Sequence, residues 1–199
     1  MEGLKEVIKA RRSYYSLSDK SPVSDKEIKE LIDFAVLNVP SAFNSQTTRV
    51  ILLLNEHHKK LWDIVKDVLL KITGPDRFES TKQKIEGSFQ AGHGTILFYE
   101  DQRIIKGLQE QFPSYSDKFP TWSEHTTAMH QYAIWLLLKE AGMGATLQHY
   151  NPVIDEEVAK EWNIHPDWQL KCQMPFGIPT AEPGEKEFEP LDKRSLVFK

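Results

Sequence analysis

The sequence predicts an α+β domain in which helices flank a sheet. Three observations carry that reading. Apolar stripes at helical spacing recur along the chain, about four strand-like runs are interspersed with them, and no internal repeat or low-complexity tract breaks the pattern. At 199 residues the chain suits one domain and is long enough to bury a core without disulfide or metal staples.

Taken in order, the first helix is expected over residues 3–12, where Leu4, Val7 and Ile8 fall at helical spacing. Ser24-Asp25-Lys26-Glu27 has the form of a capping box, with Glu27 reaching back to Ser24. Ile28, Leu31, Ile32, Ala35 and Val36 then form one stripe, and Pro40 ends that helix. Residues 49–55 (RVILLLN) have the length and branching of a buried strand. Leu61, Val65, Val68, Leu69 and Ile72 mark a third helix, closed by Gly74-Pro75. Residues 95–100 (TILFYE) read as a second strand. Residues 103–112 read as helix, followed by a loop with Pro113 and Pro120.

Thr121-Trp122-Ser123-Glu124 has the pattern of a second capping box, opening a long helix to Ala141 with Gly142 as C-cap. From 128 to 138 this helix is apolar on nearly every face, which predicts a central buried position. Short strands are expected at 145–148 and 169–174, with a helix over 156–162 between them. After Gly177 the character changes: Pro179, Pro183, Gly184 and Pro190 lie among acidic residues, with few apolar groups. A tail of that kind does not fold on its own surface alone.

Composition excludes more than it identifies. Hydrophobic content of 40% and charged content of 27% are ordinary for a globular protein. A net charge of −4 gives no electrostatic reason to expect nucleic acid or an anionic membrane as partner. No run approaches the roughly 18 apolar residues of a membrane span, and the opening residues lack the apolar region of a signal peptide. Cys172 is the single cysteine and has no internal partner, which suits a reducing compartment. The expectation is a soluble cytoplasmic protein. Metal binding is not expected: His57 and His58 are adjacent, His125 and His130 face apart on a helix, and no HExxH spacing occurs. GxSxG, P-loop and GxGxxG patterns are also missing, so no Rossmann crevice is expected.

Two stretches carry chemistry. Arg11-Arg12-Ser13 sets two guanidiniums and a hydroxyl after the first helix, and the planar fork of arginine matches phosphate. Basic residues at a helix end also complement its dipole, so this run alone is open to a plainer reading. The second stretch, Pro40-Ser41-Ala42-Phe43-Asn44-Ser45-Gln46, gathers a hydroxyl and two side-chain amides. That set can read the donor and acceptor edge of a planar heterocycle, although polar turns after proline-ended helices are common. Near the end, Lys193 and Arg194 offer a second basic pair that could equally be charges on an exposed tail.

These motifs, in this order and spacing, resemble the FMN-dependent nitroreductase family, and Gly144-Ala145-Thr146-Leu147-Gln148-His149-Tyr150-Asn151-Pro152 resembles its fatty-acid-repression-mutant-like branch. The resemblance spans nearly the whole chain. It implies a mixed sheet wrapped by helices, forming a single domain over 1–199 with residues 178–199 as a C-terminal arm embracing a second copy in a homodimer. It also implies that Arg11 and Ser13, with Arg12 beside them, contact the FMN phosphate, that Ser41, Asn44 and Gln46 bond the flavin edge and ribityl chain, and that Lys193 and Arg194 complete the phosphate site. Gln148 and His149 are candidates beside the flavin face. Ala42 and Thr47-Thr48 depart from the family pattern, and no role is assigned to Ala42. The implied activity is ping-pong transfer of electrons from NADH or NADPH to nitroaromatic, quinone or enone acceptors. Because the flavin performs the chemistry, no side chain is named as catalytic. The alternative is a flavin-binding redox regulatory or stress-response protein with little turnover.

Overall fold

A computed structural model describes residues 3–199. Helix α1 (Leu4–Ala10) ends short of the arginines, because Arg11 turns to an extended backbone (φ −67°, ψ 118°). After a short strand β1 (Leu17–Ser18), helix α2 (Asp25–Asn38) begins at the expected capping box. The Ser24 hydroxyl accepts from the Glu27 amide at 3.3 Å, and the Glu27 carboxylate accepts from the Ser24 amide at 2.8 Å. Strand β2 (Thr48–Leu54) runs directly into helix α3 (Asn55–Thr73), with Asn55 (φ 51°) making the corner. Asparagine tolerates the left-handed region, so no loop is needed there.

Like strand β1, two further elements carried no sequence expectation. Helix α4 (Pro75–Lys84) buries Phe78 alone, too little to print a stripe, and a π turn (Ile85–Phe89) continues it. Strand β3 (Gly94–Asp101) leads into helix α5 (Gln102–Gln111) and then helix α6 (Phe119–Glu140). Here one expectation is corrected: α6 starts at Phe119, so Thr121 and Glu124 sit inside the helix instead of capping it. Pro120 is tolerated in a first turn, and burial of Phe119 draws the start of the helix inward. Strand β4 (Gly144–Ala145), helix α7 (Asp155–Glu161) and strand β5 (Trp168–Pro179) complete the fold.

The strands lie in the order β1-β5-β3-β2, with β4 paired to β5. All four ladders are antiparallel, and Ser13 adds an isolated parallel bridge to Ala145. The strand expected over 145–148 shrinks to β4 plus a bridge between Gln148 and Gln173. Strand β5 runs further than expected because its last residues pair with β1 and β4, so Ile178 and Pro179 belong to the sheet. A Cβ on Gly177 would stand 2.1 Å from the Ser18 carbonyl oxygen, so this β1–β5 contact requires glycine.

Alternate residues of β3 face opposite layers, as strand geometry dictates. Ile96 and Phe98 pack with Ile28 and Ile32 of α2 and with Ile134 and Leu138 of α6. Leu97 and Tyr99 pack with Leu61, Trp62 and Val65 of α3 and with Phe89. Each such side chain, fully buried, contributes about 1.5–3 kcal/mol. Cys172 lies in the first cluster, where burial pushes its thiol pKa up, as suits a structural residue. The expected burial of α6 holds on one side only. Met129 and Tyr132 are exposed, and α6 joins Leu4, Phe34 and Pro40 in lining an apolar groove of about 370 Å³.

Candidate cofactor site

The ten expected site residues fall into separate places on the chain. Arg11, Arg12 and Ser13 line one cleft of about 520 Å³, whose opposite wall is the tail over residues 181–186. Extended backbone after α1 carries these residues away from the helix end, and Tyr14 fixes the strand-like path by donating its amide to the Ala145 carbonyl at 3.1 Å. The Arg11 guanidinium lies over the Trp135 ring of α6, 4.4 Å from its centroid, with Tyr132 at 6.0 Å. Its Nε is buried and has no hydrogen-bond partner among the described residues. A buried unpaired donor on a permanent cation is costly. Arg12 has a different job. Its Nη2 donates to the Gly184 carbonyl at 2.6 Å, and Tyr14 Oη donates to Glu182 at 3.5 Å, so both tie the tail to the cleft wall.

Ser41 and Gln46 line a second cleft of about 360 Å³ together with Arg49 and His130. The loop leading to it is strained. Phe43 (φ 56°), Asn44 (φ 49°) and Gln46 (φ 49°) all occupy the left-handed region, which asparagine tolerates but which costs of order 1–3 kcal/mol at Phe43 and Gln46. Several bonds support that conformation. Ser41 Oγ accepts from the Gln46 amide at 3.0 Å, and Gln46 Nε2 donates to the Asn44 carbonyl at 3.3 Å. Arg49 Nη1 donates to the Gln46 carbonyl at 2.8 Å, while its Nη2 pairs with buried Asp101 at 3.2 Å. Asn44 and Gln46 are exposed. His130 is buried, its Nδ1 donating to the Thr126 carbonyl at 2.9 Å, and burial pulls its pKa below the usual imidazole value.

At the end of β3, adjacent to this loop, sit two buried carboxylates. Asp101 takes a hydrogen-bonded ion pair from Arg103 at 2.7 Å, and chiefly that contact, with Arg49 adding to it, holds its pKa down to about 2. Glu100 accepts from Thr48 Oγ1 at 2.5 Å and from Ser123 Oγ at 3.0 Å, while burial raises its pKa. The Thr48 and Ser123 bonds join the end of the loop to the start of α6.

The remaining expected residues stand apart. Gln148 is half-buried and donates from Nε2 to Thr146 Oγ1 at 3.1 Å; its backbone exchanges bonds with Gln173 at 2.7 and 2.9 Å. His149 is exposed. Lys193 closes a 3₁₀ turn (Leu191–Lys193) with Arg194 after it; both are exposed and form no side-chain hydrogen bond or ion pair among the described residues. Within one chain, then, the arginine cleft and the amide loop do not share a pocket. Sequence reasoning missed Trp135, which positions Arg11, and Gln173, which holds the 148–151 segment by accepting from the Tyr150 amide at 2.8 Å. Trp135 was visible only as one more apolar residue of α6, and nothing in the sequence marks Gln173 apart from its strand.

An antiparallel sheet with helices packed on both faces gives a three-layer α+β fold. The chain belongs to the nitroreductase family, which it matches over residues 8–178, and is an oxidoreductase of that type. It is 33% identical over 184 residues to the nitroreductase FRM2 of Saccharomyces cerevisiae, covering 92% of this chain and 91% of the relative. Nitroreductase CinD from Lactococcus lactis, solved in complex with chloramphenicol, superposes with a TM-score of 0.91 at 41% identity, covering 99% of this chain and 100% of that one. The same protein was solved in complex with 4-nitrophenol. A more distant structure from Exiguobacterium sibiricum, in complex with FMN, shares the fold at 13% identity and a TM-score of 0.70, covering 100% of this chain and 98% of that one.

Proposed function

We propose that this protein is an FMN-dependent NAD(P)H oxidoreductase acting on nitroaromatic, quinone or enone acceptors by a ping-pong route. The observation that carries the reading is the Arg11 guanidinium, which stacks on Trp135 with a buried, unpartnered Nε in a segment that lines one cleft with Ser13. The FMN phosphate is an acceptor matched in charge to an arginine fork, so the residues present fit the group. Ligands of CinD support the acceptor class, since chloramphenicol and 4-nitrophenol both carry a nitroarene.

Arg11 would hold the phosphate, its plane fixed by stacking on Trp135, and Ser13 would add a hydroxyl donor. Ser41, Asn44 and Gln46 would bond the polar edge of the ring, Gln148 and His149 would flank its face, and Lys193 and Arg194 would close over the phosphate. Bound FMN would supply the redox chemistry, taking hydride from the nicotinamide and returning electrons to the acceptor. The separation of the two clefts favours a homodimer in which residues of both copies meet one cofactor. The open apolar groove between α1, α2 and α6 offers the surface for it.

The test is the visible spectrum of the purified protein, followed by NADH and NADPH consumption over a panel of nitroarenes and quinones. A yellow protein that turns over a nitroarene supports the reading. A protein that stays colourless after FMN addition overturns it.

A further inference from the structure

The Phe43 ring sits in a cage of four aromatic side chains. Ring centroids lie 5.0 Å away for Phe112, 5.4 Å for Phe119, 5.9 Å for Tyr115 and 5.9 Å for Trp122, the last nearly parallel at 21°. All four come from one segment, residues 112–122, running from the end of α5 through the turn Pro113–Tyr115 into the first turn of α6. Cage members also contact each other, with Phe119 edge-on to Trp122 at 5.3 Å. Phe43 is nonetheless 50% exposed, so burial alone does not account for its placement.

Its backbone sharpens the point. A bulky residue at φ 56° is an outlier, and it sits directly before Asn44, which shares the left-handed conformation. Phe43 belongs to the short 3₁₀ turn Ala42–Asn44, in which the Asn44 amide bonds the Ser41 carbonyl at 3.0 Å and the Ser45 amide bonds the Ala42 carbonyl at 3.1 Å. Released from the cage, the chain would relax toward ordinary backbone angles and turn Asn44 and Gln46 elsewhere. A second tie between the same two segments runs from Thr48 through Glu100 to Ser123, the neighbour of Trp122.

We propose that Phe43 is a positioning residue: seated in the cage on residues 112–122, its ring holds the 41–46 loop in the left-handed form that presents Asn44 and Gln46 to the flavin edge. It touches no reacting atom in this role. Residues 112–122 thereby become part of the cofactor site without contacting cofactor. The proposal rests on the FMN reading for its functional consequence, while the latch itself is a property of the protein alone.

The experiment compares full-length wild type with Phe43→Ala, Phe43→Leu and Phe43→Tyr by amide hydrogen exchange over residues 44–46, FMN titration and the visible flavin spectrum. Offset and edge-to-face aromatic pairs add to burial, so the expected result is about tenfold weaker FMN binding in Phe43→Ala, with faster exchange at 44–46. Phe43→Leu, which keeps the apolar bulk and loses the ring, should lie between, and Phe43→Tyr should restore both exchange and affinity to within about twofold. The flavin band should shift in Phe43→Ala and return in Phe43→Tyr, a signature that general destabilisation does not produce. Unchanged exchange at 44–46 in both Phe43→Ala and Phe43→Leu would overturn the latch. Faster exchange with unchanged FMN affinity would overturn its role at the cofactor. Wild type that binds no FMN would end the flavin reading, and the exchange comparison would still decide the latch.

Discussion

The arginine cleft and the amide loop, both proposed to meet FMN, present their polar groups in opposite ways. Arg11 sits on relaxed extended backbone, with its guanidinium braced on Trp135 and one donor left unpaired. The 41–46 loop instead has three left-handed residues, pinned by Arg49 and by the cage around Phe43. Charge makes the first site; backbone conformation makes the second. Substitution should therefore cost the first cleft ligand binding with little change in fold, and the second both binding and local order.

The largest expected effect belongs to Arg11. Hydrogen bonds to a charged group contribute about 1.5–3 kcal/mol, so Arg11→Ala should weaken FMN binding roughly tenfold to a hundredfold. Flavin fluorescence during titration of the apo-protein measures it, and Arg11→Lys should rescue only part, since an ammonium lacks the planar fork. For the loop, Asn44→Leu would mix two losses, the amide and an added backbone strain at φ 49°. Asn44→Gly separates them: it removes the amide while easing the backbone, so FMN affinity should fall while thermal stability holds or rises. Equal losses of stability in both variants would contradict the role assigned to the loop's backbone conformation.

Acid should discriminate between them too. The pKa of Asp101 is held near 2, chiefly by Arg103, below the ordinary carboxyl value of about 4 in an unfolded chain. A depressed carboxylate contributes stability that is fully present above the unfolded value and is lost as pH falls toward about 2. Since Arg49 links Asp101 to the Gln46 carbonyl, the loop should loosen in that window. Arg103→Ala should move the acid midpoint of thermal unfolding to higher pH; an unmoved midpoint would show that Asp101 does not set it. The smallest effect is expected at Arg12, whose bond to the tail is exposed. Arg12→Ala should change stability by no more than about 0.5 kcal/mol, read by denaturant melts.

Much of this arrangement was legible in the sequence where side-chain type alone carries the chemistry. The capping box at Ser24, the stripe of α2 and strands β2 and β3 follow from local pattern, although only β3 is buried throughout, since β2 lies at the sheet edge. The arginine pair and the amide-rich loop were likewise visible as residue types. What stayed hidden depends on position in three dimensions. Strand β1 is two residues long and exists only because β5 passes beside it. The Thr121 box failed because burial of Phe119 outweighed a capping signal in the next turn. Phe43 read as one apolar residue in a polar turn, since neither its left-handed backbone nor the distant rings that hold it can be seen in a linear pattern. The tail kept its expected character, with Phe198 91% exposed, and Lys193 and Arg194 gain a role only if a second copy brings a phosphate to them.

The central claim is that both clefts serve one FMN, and an FMN binding isotherm tests it most directly. Wild type, Arg11→Ala, Asn44→Gly and the double variant would each be titrated, with stoichiometry and dissociation constant read together. The expected result is one FMN per chain in wild type, weaker binding in each single variant, and the weakest in the double. Wild-type affinity retained in either single variant would contradict the claim and remove that cleft from the site.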